Sequence, residues 1–289
     1  MTPINVMCAA DRNYGSYAGI VMQSAMSVTR DAKIHFHLLS DGVHSSDIVK
    51  CRTIAREHGN DFSSYEISSK LTNLPKALRM ANHLSRAAYS RLLFADLLPT
   101  SVHRIIYLDC DVVCRRDLTE LWELGAGVDV LGAVRDPWLD PDTKLKSSLG
   151  LSPDQIYFNS GVLLINVDAW RAENTEARLC DFVSSRPDIK HADQDTLNAV
   201  LSARLTEVPE KWNMMIDHPR REDEGHLRDH AAILHYVGGF KPWHLGYHLT
   251  NPLKGKPYAA EKRLSPWRSK FPDFQWRRVT RKFRSLVRT

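Results

Sequence analysis

Apolar residues in this chain come in short continuous runs, each closed by a polar cluster, and the runs alternate with longer segments of near-helical spacing. Pro3–Ala10 reads as a buried strand ending at Asp11. Ser16–Arg30 follows with Ile20, Met22, Met26 and Val28 near helical intervals. Lys33–Leu39 is a second strand, Asp47–His58 a helix stopped by Gly59-Asn60, and Phe62–Ile67 a third strand. Ser85–Leu98 is expected as a helix ended by Pro99. The run Ile105–Val113 predicts an interior strand of a parallel sheet that carries Asp109 and Asp111 on one face and Cys110 on the other. A short helix over Leu118–Leu124 and a strand over Val128–Val134 come next. Gly161–Val167 is a strand after an Asn159-Ser160 turn, Asp193–Leu205 a helix, and Ala232–Tyr236 a late strand reaching His235.

Strands alternating with helices imply an α/β fold with a mainly parallel sheet. The pattern is continuous as one domain over residues 1–256, and composition changes at about Pro257–Lys262. Ten of the 39 Lys and Arg and one of the 34 Asp and Glu lie from Lys262 onward. The tail therefore carries about +9 and the remainder about −4, although the formal net charge is +5. Within the tail, Phe274, Trp276, Val279, Phe283, Leu286 and Val287 fall near helical spacing among six Arg and Lys residues. A basic amphipathic helix with aromatic anchors is expected to lie on an anionic membrane surface; a nucleic-acid arm is not favoured. Residues 257–289 are read as this membrane-association tail.

No apolar run is long enough for a transmembrane helix, and the first residues lack the pattern of a signal peptide. The five cysteines have no framework spacing, and Cys110 and Cys114 lack a second pair for zinc. Reduced thiols in the cytoplasm are expected.

Open α/β sheets bind ligands beyond the carboxyl ends of their strands. Four such ends carry polar residues here: Ala9-Ala10-Asp11-Arg12-Asn13-Tyr14, Asp109-Cys110-Asp111, Asn159-Ser160-Gly161, and His235-Tyr236-Val237-Gly238-Gly239-Phe240-Lys241-Pro242-Trp243. Two convergent carboxylates suit Mg²⁺ or Mn²⁺, and such an ion suits a phosphate-bearing substrate.

Together these motifs resemble glycosyltransferase family 8, in particular the bacterial lipopolysaccharide α-galactosyltransferases and, more distantly, glycogenin. The matching stretches are Ala-Ala-Asp-x-Asn-Tyr, Tyr-Leu-Asp-x-Asp-Val at 107–112, Phe-Asn-Ser-Gly-Val-Leu-Leu-Ile-Asn at 158–166, Asp193-Gln194-Asp195 and His235-Tyr236-x-Gly-x-x-Lys-Pro-Trp. They run in order from about residue 4 to about residue 245. The resemblance implies a GT-A fold, a UDP-sugar donor, Mn²⁺ (with Mg²⁺ as the substitute) and retention of anomeric configuration. It places Asp109, Asp111 and His235 on the metal. Ala9, Ala10, Asp11, Asn13, Tyr14, His83, Cys110, Gly238 and Lys241 fall to the nucleotide and diphosphate. Gly238 would let backbone approach the diphosphate and Lys241 would supply a cation. Arg91, Asp136, Asn159 and Asp193 fall to the sugar hydroxyls, Asp109 to the nucleotide-sugar as well as the metal, and Asp193 stands with Gln194 and Asp195 among the catalytic residues. Gln194 matches the position beneath the anomeric carbon. It would serve a front-face substitution by stabilising the transition state, and Asp195 is the alternative nucleophile. Arg12 departs from the acidic residue common in close relatives.

The expected donor is UDP-galactose or UDP-glucose. The expected acceptor is an oligosaccharide or lipid-linked saccharide such as lipopolysaccharide core, bound by Leu139–Gln155 and Asn213–Asp229. Trp138 and Trp243 are candidates for stacking on a sugar ring. A cytoplasmic enzyme peripheral on the inner face of a bacterial membrane fits these readings. The alternatives are a protein glycosyltransferase, glycogenin-like or an effector, and a non-catalytic nucleotide-sugar-binding protein.

Overall fold

In a computed structural model, residues 2–72, 86–186, 189–217 and 230–273 are described. Among the described residues there are ten strands: β1 (Ile4–Asp11), β2 (Ile34–Asp41), β3 (Asp61–Glu66), β4 (Arg104–Leu108), β5 (Val112–Cys114), β6 (Leu131–Arg135), β7 (Phe158–Asn166), β8 (Leu205–Glu207), β9 (Met214–Ile216) and β10 (Ile233–Tyr236). Seven of them form one sheet in the order β3-β2-β1-β4-β7-β6-β8. β7 runs antiparallel to both its neighbours, and the other pairings are parallel. β5, β10 and β9 form a second, small sheet, with β10 antiparallel to β5 and parallel to β9. The fold is α/β with a mixed, mainly parallel sheet, as expected.

The run Ile105–Val113 is not one strand. β4 ends at Leu108 in the large sheet, and β5 begins at Val112 in the small one. Asp109-Cys110-Asp111 is the crossing between them. Both strands are buried on both faces, so their apolar residues read as one uninterrupted run. Asn159 and Ser160 likewise lie inside β7 rather than in a turn before it, opposite a register shift in β6 between Ala133 and Arg135.

Over the expected helix Ser85–Leu98, the described residues form a 3₁₀ helix at Arg86–Leu92 and turns beyond. The guanidinium of Arg171 donates to the carbonyls of Ala95, Leu98, Pro99 and Val102. Those carbonyls are therefore satisfied without a helical ladder.

The large sheet is covered on both faces. One face packs against the helix Gly15–Val28, on which the helix Pro252–Leu264 packs in turn, and the other against Phe94, Trp170, Leu197 and Leu201. Residue 257, the expected start of the tail, falls inside the helix Pro252–Leu264, whose Tyr258 is in the core. The chain then folds back along the body. Trp267 is buried, and an added Cβ on Gly19 would come 2.1 Å from its ring. Its Nε1 donates to Asp47 Oδ1 at 2.8 Å. The expected amphipathic segment from Phe274 onward lies outside the described residues. Among the described residues no helix is long and apolar enough to cross a membrane.

Candidate active site

The site forms where the two sheets meet. β4 and β5 deliver Asp109 and Asp111, β10 delivers His235, and β7 delivers Asn159 and Ser160. One ligand atom from each of Asp109, Asp111 and His235 lies within 4.8 Å of the others. His235 Nε2 stands 3.2 Å from Asp111 Oδ1. Lys241 Nζ reaches Asp111 Oδ2 at 2.6 Å and the carbonyl of Tyr236 at 2.5 Å, so a cation already occupies part of this carboxylate's field. Burial disfavours ionised Asp111, but Lys241 and then His235 outweigh it and hold the carboxyl far below the usual range. Asp109 is shifted the other way: burial, with Asp111 beside it, lifts its carboxyl above the usual range against the pull of Arg91. Two carboxylates and one imidazole facing one point are a donor set suited to a divalent ion, and such an ion would relieve the crowding of negative charge.

Asp109 is also fixed from behind. Arg91 grips it with Nη2 to Oδ1 at 2.6 Å and Nη1 to Oδ2 at 3.3 Å, and Tyr107 donates to Oδ1 at 2.9 Å. The same guanidinium donates to the Ser160 carbonyl at 2.8 Å and its Nε lies 3.1 Å from Asp193 Oδ2. Burial raises the Asp193 carboxyl above its ordinary range, against Arg91. Arg91 thus ties Asp109 to a second carboxylate in the adjoining polar cluster.

That cluster brings Asp136, Asn159, Asp193 and Gln194 together. Gln194 Nε2 donates to Asp136 Oδ2 at 3.2 Å, and its Oε1 accepts from the Ser160 amide and from Asn159 Nδ2, each at 3.2 Å. The backbone donor fixes which way the Gln194 amide points. Asp195 lies elsewhere. It is 1% exposed; Oδ1 accepts from Tyr157 at 2.6 Å, and Oδ2 accepts from the amides of Lys190 and His191 at 3.0 and 2.8 Å. It therefore anchors the start of the helix Ala192–Leu201 rather than facing the pocket.

Among the residues expected to meet the nucleotide, Asp11 Oδ1 accepts from the amides of Asn13 and Tyr14, so this carboxylate shapes the loop after β1. Tyr14 is 38% exposed and packs edge-on to Tyr17 and Trp243. Burial, then Cys110, Asp111 and Asp11, push its phenol up to about 12. Ala9 and Ala10 are buried in β1, and Cys110 Sγ lies 3.1 Å from the Ala9 carbonyl. Gly238 packs close to Asp217: an added Cβ would come 2.6 Å from the Asp217 carbonyl oxygen. Trp243 is buried and stacked on Tyr17 with ring centroids 4.0 Å apart, so it is core rather than a sugar platform. His83 lies outside the described residues.

The family model for glycosyl transferase family 8 matches residues 5–245. The chain belongs to glycosyltransferase family 8.

Relatives within the family include the lipopolysaccharide 1,2-glucosyltransferase of Escherichia coli (strain K12), 29% identical over 280 residues, 93% of this chain and 80% of that one. The lipopolysaccharide 1,3-galactosyltransferase of Salmonella typhimurium is 28% identical over 251 residues, 83% and 73%. A solved structure of the galactosyltransferase LgtC with donor and acceptor sugar analogs superposes with a TM-score of 0.77 at 25% identity, covering 91% of this chain and 96% of that one.

The motifs did not point to Tyr157, the partner of both Asp195 and Gln194, or to Asn213. Tyr157 precedes the Phe158–Asn166 motif by one position, and adjacency was its only signal. Asn213 stands only as the first residue of the variable stretch Asn213–Asp229.

Proposed function

We propose that this family 8 glycosyltransferase moves galactose or glucose from UDP to a hydroxyl of a saccharide acceptor, with retention of configuration. A lipid-linked glycan such as lipopolysaccharide core is the favoured acceptor class, supported by the names of the relatives above. The observation that carries the reading is the convergence of Asp109, Asp111 and His235 beside the pocket of Asp136, Asn159, Asp193 and Gln194.

Asp109, Asp111 and His235 would hold Mn²⁺, with Mg²⁺ as substitute; imidazole in the set favours Mn²⁺. When bound, the ion neutralises the diphosphate of the donor and of departing UDP. Lys241 supplies a second positive charge at the same oxygens. Ala9, Ala10, Asp11, Asn13, Tyr14 and Cys110 form the uracil end. Arg91, Asp136, Asn159 and Asp193 bind the sugar hydroxyls. The phosphate–anomeric carbon bond breaks as the acceptor oxygen adds on the same face, and the acceptor proton passes to the leaving phosphate. Gln194 stabilises the oxocarbenium-like transition state from the opposite side. An amide is a poor nucleophile, and the oxygens of Asp195 are engaged with Tyr157, Lys190 and His191, so neither group is assigned a covalent role.

The test is release of UDP from UDP-galactose and UDP-glucose with Mn²⁺ and lipopolysaccharide-core acceptors. Turnover is expected with one donor and lost in Asp111→Ala. Full activity in that variant overturns the site assignment.

A further inference from the structure

A chain of hydrogen bonds leads from the backbone of β7 to the ring of His235, and each link has only one polarity. The Gly161 amide donates to Asn159 Oδ1 at 3.0 Å. A backbone N–H cannot accept, so this contact fixes the orientation of the Asn159 amide. Its Nδ2 then faces Gln194 Oε1 and Asp136 Oδ2, both acceptors, in agreement. Asn213 lies 2.9 Å from Asn159 Oδ1 and must present Nδ2 there. Its other end, Oδ1, is left facing His235 Nδ1 at 2.8 Å. An amide oxygen only accepts, so Nδ1 carries the proton.

We infer that Asn213 is a positioning residue that holds His235 as the Nδ1–H tautomer, turning the bare Nε2 toward Asp111 for a divalent cation. The inference rests on the reading of Asp109, Asp111 and His235 as a metal site. A neutral imidazole has one N–H, so fixing it on Nδ1 makes Nε2 a lone-pair donor. In the neutral ring that lone pair stands 3.2 Å from Asp111 Oδ1, another acceptor, an unfavourable pairing that either a proton on Nε2 or a divalent cation relieves. Asn213 is fully buried at the end of the 3₁₀ helix Glu210–Asn213, so water does not compete for its amide. Gly161 completes the seat. An added Cβ there would come 2.2 Å from His235 Cε1, so the ring lies flush on β7 only because position 161 is glycine. One residue thus both starts the relay and makes room for its far end.

The first test needs no variant. Ring ¹⁵N shifts of His235, assigned by comparison with His235→Gln, are recorded without metal at a pH where the ring is neutral. Nδ1–H as the major form is expected; Nε2–H as the major form overturns the relay. The second test is Mn²⁺ affinity measured by the resonance signal of free Mn²⁺. Asn213→Leu, which removes the acceptor, should bind at least about tenfold more weakly. Asn213→Asp keeps an oxygen for Nδ1–H and should bind Mn²⁺ close to the wild-type affinity, so the two variants must diverge. Equal loss in both, or in neither, overturns the inference. A wild-type protein that binds no Mn²⁺ overturns the metal-site reading itself, and the ring shifts then judge the relay separately.

Discussion

Lys241 Nζ stands 2.6 Å from Asp111 Oδ2, across 130 positions of sequence, so an ammonium and a divalent ion would draw on the same carboxylate. Two cations that share one anion compete. Lys241→Met should therefore tighten Mn²⁺ binding in the absence of nucleotide by several-fold, about the size expected for a partly buried ion pair. The same change should weaken UDP binding in the presence of Mn²⁺, because the second charge at the diphosphate is gone. Calorimetric titration of Mn²⁺ and of UDP reads both. Shifts in the same direction would show that Lys241 has no competing role.

Arg91 is buried and joins Asp109 to Asp193. Removing one partner of a buried ion pair leaves uncompensated charge and typically costs about 3–5 kcal/mol. Arg91→Ala should lose stability on that order in chemical denaturation. Arg91→Lys keeps the charge but not the planar fork, and should recover only part of the loss. A cost under about 1 kcal/mol for Arg91→Ala would mean that the carboxylates accept protons or water instead.

Asp195 has three donors on its two oxygens. In Asp195→Asn an NH₂ group must face at least one of them, leaving a buried donor unpaired at a cost of about 1–3 kcal/mol. The melting temperature should fall and kcat should fall with it only in proportion to the loosened helix start. Complete loss of turnover at an unchanged melting temperature would instead assign Asp195 a chemical role.

The order of elements and most of the site were legible because the polar clusters closing β1, β4, β7 and β10 interrupt apolar runs. The seam at Asp109-Cys110-Asp111 was not legible. Buried strands of two sheets, joined through three residues, show no change of period. Asn159-Ser160 read as a turn because small polar residues carry that propensity, whereas in the fold Ser160 sits in β7 beneath Arg91. Asn213 carries no local signal at all. Its importance comes from β9 and β10 lying side by side, a pairing between segments whose intervening stretch has no hydrophobic pattern. Trp267 and Tyr258 read as parts of a basic tail because charge outnumbers apolar residues around them, yet both are in the core.

His37 is fully buried on β2, with Tyr65 on Nδ1 and Asn5 on Nε2. Burial, with His35 stacked beside it, lowers its pKa to about 3. The ring is neutral in the fold and binds a proton in the unfolded chain below about 6.5. The unfolded state therefore holds more protons between about pH 3 and 6.5, and stability falls as pH is lowered through that window. The slope from this one group is at most about 1.4 kcal/mol per pH unit. Denaturation midpoints of His37→Gln should show a shallower acid limb than wild type, and parallel limbs would remove His37 as the cause.

The proposed membrane tail is best tested by cutting after Asp273, because the segment just before that point is part of the body. Trp267 fills the space over Gly19, Lys270 Nζ reaches Ser16 Oγ at 2.7 Å, and Asp273 accepts from Tyr17. The Asp273 amide also donates to the Trp243 carbonyl at 2.9 Å, and its carbonyl accepts from the Leu245 amide at 2.9 Å, tying the strand-end motif that carries Lys241 to the helix Gly15–Val28. Removing Trp267 alone should cost about 3–5 kcal/mol, so a chain ending at Pro266 would lose stability and nucleotide binding together. A chain ending at Asp273 should keep its melting temperature and its turnover of a soluble acceptor. It should also fail to sediment with anionic vesicles, since the Lys and Arg from Arg277 to Arg288, each worth about 1 kcal/mol near such a surface, are gone. Undiminished sedimentation of that chain would place the membrane contact on the body instead of the tail.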